Sequence, residues 1–123
     1  MDNTEEFHAV IIDKSLISLD ILSDFKILSE TSDGAWIIYK ISLIEKDLVE
    51  TIKKIQFQMY DANWYCHFYN SDGSRMVVVF KNKFFEISNN PLTWTEVVDY
   101  GVSLGTPKEQ LDFVPNRFED EKY

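Results

Sequence analysis

The sequence predicts a single α+β domain, and three observations support this prediction. Short β-branched and aromatic runs recur between turn signals, one longer segment has helical periodicity, and the composition allows a sizeable core. The chain has 123 residues, of which 45% are hydrophobic and 15% aromatic. This length is typical of one domain, and such a composition can form a core without disulfides or metals. Because no repeat, linker or low-complexity segment divides the chain, we predict one domain over residues 1–123, with a loose tail from about residue 112.

The first third of the chain predicts three strands and a short helix. The run FHAVIID at residues 7–13 is β-branched and bounded by charge, and KILSE at residues 26–30 and WIIYKI at residues 36–41 also have strand character. The segment 31–34 between the latter two is a turn, because Gly34 tolerates a positive φ. A helix is predicted from Ser15 to Asp24. Its leucines recur three residues apart, at Leu16, Leu19 and Leu22.

The clearest helix is predicted from Glu45 to Met59. Ser42 and Glu45 have the spacing of a capping box, in which the serine side chain binds a free backbone N–H and the glutamate reaches back. An apolar stripe then follows at helical spacing, and it consists of Leu48, Ile52, Ile55 and Met59. This stripe predicts that one side of the helix packs on the sheet.

The stretch from Trp64 to Ser88 carries the strongest strand signals. Three strands are predicted there, at residues 64–69, 75–81 and 84–88. The turn at residues 70–73 makes the first two of them antiparallel neighbours. A last helix is predicted from Thr93 to Leu104, with Trp94, Val97 and Val98 on its apolar side.

The order of these elements is βαββαβ followed by ββα, and the first six match the split βαβ arrangement of the ferredoxin-like fold. The Glu45–Met59 helix should join two parallel strands, with the first strand of the chain inserted between them. The later strands should extend one edge of the sheet. We therefore predict a mostly antiparallel sheet of order 2-3-1-4-5-6, with the helices mainly on one face.

Strand alternation defines one candidate binding surface. In WYCHFY, alternate residues point to opposite faces, so that Trp64, Cys66 and Phe68 should lie under the helices. The other face then carries a Tyr-x-His-x-Tyr pattern. The predicted ligand-binding residues are Tyr39, Tyr65, His67 and Tyr69. Two interpretations stay open: this face binds a small ligand, or its aromatics are core or dimer packing beneath the last helix.

The motifs of catalysis and metal binding are missing. Cys66 and His67 point to opposite faces of one strand and cannot form a thiolate–imidazole pair, although His8 could approach Cys66 if the first and fourth strands pair. With two histidines and one cysteine, the chain has no metal-ligand spacing, and its four scattered glycines form no phosphate loop. We therefore expect no catalytic residue, no metal and no cofactor.

The charge and the lone cysteine restrict partners and location. The net charge of −9 repels nucleic acid and anionic membranes, which bind proteins largely through lysine and arginine. The N-terminus lacks the basic and apolar regions of a signal peptide, and no apolar run approaches the roughly 20 residues of a membrane helix. A single Cys66 cannot form an internal disulfide. These features predict a cytoplasmic protein that binds neither nucleic acid nor membranes.

Four segments resemble a family of small, conserved prokaryotic proteins without an assigned role: WYCHFYN, MVVVFKNKFFEIS, WTEVVDYGVSLG and PKEQLDFVPNRFEDE. The resemblance covers most of the chain and implies no activity, ligand or catalytic residue.

The leading prediction is a non-enzymatic domain that binds a partner protein, a second copy of itself or a small ligand. A small enzyme or ligand-binding protein with a pocket around Tyr65, His67 and Tyr69 is the first alternative. An acidic mimic of nucleic acid is the second.

Overall fold

A computed structural model describes residues 4–111, 113 and 117–121. These residues form an α+β fold with one open antiparallel sheet, two α-helices and several short 3-10 turns. The strands are β1 (Glu6–Ile12), β2 (Lys26–Asp33), β3 (Trp36–Ile44), β4 (Tyr65–Asn70), β5 (Met76–Phe80) and β6 (Phe84–Ile87). The helices are α1 (Leu48–Gln58) and α2 (Thr95–Ser103).

The sheet has the order β2-β3-β1-β4-β5-β6, which is the predicted order. Every neighbouring pair is antiparallel, so that β3 and β4 run in the same direction on either side of β1, and α1 connects them. Gly73 closes the β4–β5 turn with a φ of 73°, and its N–H donates to the carbonyl of Asn70 at 3.2 Å. This short local turn explains why the pairing of β4 with β5 could be predicted.

The two helices cover opposite faces of the sheet, so the prediction of helices mainly on one face is wrong. On β5, Val77 and Val79 belong to the core beneath α1, whereas Met76, Val78 and Phe80 belong to a second core. That second core also contains Val97 of α2 and residues near the C-terminus, Leu111 and Phe113. A strand that is apolar at every position, like MVVVF, is typical of a sheet buried on both faces.

The predicted helix from Ser15 to Asp24 is wrong. Two 3-10 turns, Asp13–Ser15 and Asp20–Asp24, are found in its place. The backbone between them pairs with the end of α1, where Leu16 forms a bridge with Met59 and the N–H of Ile17 donates to the carbonyl of Gln58 at 2.7 Å. The backbone groups that a helix would use internally are therefore engaged by a distant part of the chain.

The predicted capping box of Ser42 and Glu45 does not form either. Ser42 lies within β3, and its hydroxyl donates to a carboxylate oxygen of Glu6 at 2.6 Å. Glu45 pairs instead with the guanidinium of Arg75 at 2.7 Å, and a 3-10 turn precedes α1. The Ser42 side chain connects β3 to β1, and the Glu45 side chain connects the 3-10 turn to the residue before β5, so neither caps the helix.

Substitution by alanine is expected to affect stability very differently at two phenylalanines, one beneath α1 and one on its outer side. Phe68 is 0% exposed at the centre of the sheet, whereas Phe57 on α1 is 77% exposed. We expect Phe68→Ala to lower the free energy of unfolding by about 3–5 kcal/mol because it leaves a cavity. Phe57→Ala should change it by no more than about 0.5 kcal/mol. Urea denaturation measures both, and equal losses would contradict the assigned faces.

Candidate functional site

We call the sheet face opposite α1 the second face, and both histidines of the chain lie on it. On β1, His8 lies opposite Tyr69 of β4, and Val10 lies between Lys40 of β3 and His67 of β4. Since directly opposed residues in a sheet share a face, two histidines, a lysine and a tyrosine lie on one surface. The residues near the C-terminus cover this surface.

Glu121 connects that segment to the sheet. One oxygen of its carboxylate lies 2.5 Å from Nδ1 of His8 and accepts a hydrogen bond from the Tyr69 hydroxyl, also at 2.5 Å. Its other oxygen accepts from the Lys40 ammonium at 3.1 Å. All three partners are buried. We call His8, Lys40, Tyr69 and Glu121 the C-terminal clasp.

The His8 ring is enclosed on further sides. Its Nε2 lies 3.1 Å from a carboxylate oxygen of Glu6, and the same oxygen accepts from Ser42. The Phe118 ring stacks on His8 with ring centroids 3.6 Å apart and planes 4° from parallel. Because carboxylates occupy both nitrogens and a phenyl ring covers one face, His8 is not placed to exchange a proton with a substrate.

Two members of the clasp, Glu121 and Tyr69, have protonation states that favour their hydrogen bond at neutral pH. Burial opposes ionisation of Glu121, but hydrogen bonds from Tyr69, His8 and Lys40 outweigh it and lower the pKa of this carboxyl. Burial, together with the hydrogen bond to Glu121 and its charge, raises the pKa of Tyr69. Tyr69 is therefore a protonated donor and Glu121 an ionised acceptor, and their hydrogen bond is charge-assisted.

Tyr65, His67 and Tyr69 do share one face, as the alternation predicted, but Tyr69 is buried and the other two are half-buried. The Tyr65 hydroxyl donates to the carbonyl of Gln110, and its ring lies 5.7 Å from that of Phe113. The His67 ring lies 5.4 Å from Tyr69 and 6.2 Å from Phe113, and desolvation lowers the pKa of His67 to about 4. This arrangement favours the interpretation that these aromatics are core.

Tyr39 does not join this set. It lies opposite Ile11 and belongs to the core beneath α1, so its predicted position with the other three residues is wrong. Its neighbour Lys40 occupies the second face instead. A one-residue difference in register exchanges the faces of a whole strand, and the sequence does not determine that register.

The loose tail predicted from about residue 112 is described only at Phe113 and at residues 117–121. Of its residues, 112, 114–116, 122 and 123 lie outside the described part of the chain. Phe113 is buried, Phe118 packs on His8, and Glu121 binds the sheet. Sequence reasoning missed His8, Lys40 and Glu121 as a group. The available signal was one histidine and one lysine inside apolar strands, which predicts a buried counter-charge without identifying it.

Cys66 lies on the opposite face from His8, although β1 and β4 pair. It is buried, and desolvation raises the pKa of its thiol to about 12, so no thiolate–imidazole pair exists. Among the described residues, no three histidine, cysteine or acidic side chains are arranged to hold a metal ion. Within the same part of the chain, neither helix has the length and apolar character needed to cross a membrane.

A second surface lies on the outer side of α1. A shallow groove of about 560 Å³ separates α1 from the 3-10 turn Asp20–Asp24. Its apolar lining residues are Ile21, Val49 and Phe57, and its charged lining residues are Asp24, Glu50, Lys53 and Lys54. Lys54 lies 4.0 Å from Asp24 and 3.7 Å from Glu50. For Lys53, no described carboxylate lies within ion-pair distance.

No family model, curated protein or solved structure matches this chain.

The lowered pKa of His67 predicts a pH dependence of stability. Above pH 6.5 the ring is neutral in both the folded and the unfolded chain and contributes nothing. As pH falls from 6.5 toward 4, the unfolded chain binds the proton first, and stability is lost. We expect His67→Gln to lose about 2–3 kcal/mol less than the wild type between pH 7 and pH 4.5. Urea denaturation at both pH values measures this, and identical losses would contradict it.

The lowered pKa of Glu121 predicts a dependence of the same sign for the clasp, in a lower pH range. Its contribution is present above pH 4.5, the ordinary value, and is lost as pH falls through the lower folded value. At pH 7, Glu121→Gln should reduce the free energy of unfolding by about 1–3 kcal/mol, and this difference should shrink at pH 3. Glu119→Gln is the matched control, because that side chain is 70% exposed. Similar effects of the two substitutions in urea denaturation would count against the clasp.

Proposed function

We propose that this chain is a non-enzymatic binding domain that recognises a partner protein through the groove beside α1. The observation that carries this proposal is the exposure of Phe57, which is 77% exposed and lines the groove with Val49 and Ile21. Apolar surface rimmed by charged residues is typical of interaction sites. Aromatic side chains are also enriched among the residues that dominate binding energy.

The charges of the groove indicate what the partner presents. Lys54 is already balanced by Asp24 and Glu50, whereas Lys53 has no such carboxylate in the described chain. The groove therefore suits a segment with an apolar side chain for Phe57 and a carboxylate for Lys53. A second copy is the less favoured partner, because two chains of net charge −9 repel one another.

The other candidate sites give less support to the two alternatives, a small enzyme or ligand-binding protein and an acidic mimic of nucleic acid. The pocket expected around Tyr65, His67 and Tyr69 is filled by Phe113 and its neighbours, which leaves little room for a substrate. The acidic mimic has weaker support because several carboxylates are engaged in ion pairs. These are Glu5 and Glu45 with Arg75, and Glu121 with Lys40.

We further infer that the sheet is a variant of the ferredoxin-like arrangement. Strands β1 to β4 have the order 2-3-1-4 and α1 connects β3 to β4, while 3-10 turns replace the first helix. The cytoplasm remains the proposed location, because the lone Cys66 is a buried free thiol.

Site-specific photocrosslinking tests the groove. We would place p-benzoylphenylalanine at Phe57 and, as a matched control, at Leu92, which is 85% exposed in a different part of the fold. In cells that naturally produce the chain, the Phe57 variant should form a discrete adduct and the Leu92 variant should not. Excess unlabelled wild type should suppress the adduct, whereas excess Phe57→Ala should not.

Three outcomes would contradict the proposal: no adduct at position 57, the same adduct at both positions, or equal competition by wild type and Phe57→Ala. An adduct with a second copy of the chain would replace the separate partner by self-association.

A further inference from the structure

On the sheet side of the C-terminal clasp, three side chains form a binding site for a carboxylate. His8, Lys40 and Tyr69 project from three adjacent strands, β1, β3 and β4, and all three are buried. They converge on one carboxylate, with the His8 and Tyr69 atoms 2.5 Å and the Lys40 atom 3.1 Å from its oxygens. The three strands hold these side chains close together, so the same groups can bind the carboxylate of another residue.

The segment that fills this site makes the kinds of contact through which proteins recognise peptide ligands. Phe118 stacks on His8, and three residues later Glu121 supplies the carboxylate. The 3-10 turn Phe118–Asp120 sets their separation. The N–H of Phe118 also donates to the carbonyl of Ser71 at 3.0 Å. One ring, one charge and one backbone hydrogen bond are the kinds of contact that anchor short segments in protein grooves.

We propose that His8, Lys40 and Tyr69 form a binding site for a peptide segment of a partner protein that presents an aromatic side chain three residues before a carboxylate, and that Phe118 and Glu121 occupy this site from within the chain. The site lies on the opposite sheet face from α1. It is therefore separate from the groove of the proposed function and does not rest on it.

A separate partner is favoured over the tail of a second copy. A tethered segment acts at an effective concentration on the order of millimolar. The same segment of a second copy makes the same contacts and has to compete with this concentration, and the net charge of −9 on each chain opposes the approach. A partner segment that makes additional contacts can displace Phe118 and Glu121. Binding would then release the C-terminal residues from the sheet.

The test uses the full-length chain with its own segment weakened. In the variant Phe118→Ala/Glu121→Gln, both anchors are removed while His8, Lys40 and Tyr69 are kept. The probe is a fluorescently labelled, capped peptide with the sequence of residues 117–121, RFEDE. Fluorescence anisotropy should show at least about tenfold tighter binding to this variant than to the wild type, whose site is occupied. A peptide that ends in glutamine instead of glutamate should bind the variant at least about tenfold more weakly.

Matched substitutions locate the binding. Added to the double variant, Lys40→Met should abolish binding of the peptide, whereas Lys53→Met, in the groove on the other face, should not change it. A two-dimensional NMR spectrum checks folding, and if the double variant is unfolded, Glu121→Gln alone replaces it with the same expectations.

Absence of binding to the folded variant would overturn the proposal, as would equal binding of the two peptides. Loss of binding with Lys53→Met but not with Lys40→Met would also overturn it. Concentration-dependent dimers of the wild type that disappear with Glu121→Gln would assign the site to a second copy and would also overturn it. None of these results depends on whether the Phe57 adduct forms, so the two proposals fail separately.

Discussion

Lys40 is a cation in the interior of the sheet, and the second half of the structure depends on how it is balanced. It lies on β3 with 8% of its surface exposed. Removing an ammonium group from water without a counter-charge costs several kcal/mol, so a carboxylate must reach it. Glu121 does so from 81 residues away in sequence. To bring that carboxylate to β3, the C-terminal segment has to lie across the second face, and the same path places Phe118 on His8.

Because the second face is covered, the sheet packs against a core on both sides. This burial limits which side chains can reach a substrate. Two side chains suggest reactivity: Cys66 is buried and His67 is half-buried. Desolvation raises the pKa of Cys66 and lowers that of His67, so each favours its neutral form. The most exposed large aromatic side chain of the described chain is Phe57, on the outer side of α1. An interaction surface there is compatible with a core that offers little to a substrate. This division is the structural reason for preferring a binding role.

The β4–β5 turn, α1 and the strand order could be predicted from the sequence, whereas the face of Tyr39 and the pairing of Lys40 with Glu121 could not. The β4–β5 turn and α1 depend on neighbouring residues, and the strand order followed from matching the order of elements to the split βαβ arrangement. The leucines at 16, 19 and 22 misled, because only Leu22 lies in a 3-10 turn, whereas Leu16 forms a bridge with Met59 at the end of α1. The face of Tyr39 depends on register, and the pairing of Lys40 with Glu121 depends on the path of the whole chain. Neither leaves a periodic signal in the sequence.

The two proposed binding surfaces are expected to act independently. Energetic coupling between sites requires an element with two arrangements that both ligands influence. Between the groove and the clasp lie α1 and the sheet, which form a densely packed core around Phe7, Ile11 and Phe68. The segment from Phe118 to Glu121 has a second arrangement under our proposal, but its described contacts are on the clasp side of the sheet. Its release therefore changes the clasp face and leaves the groove beside α1 as it is.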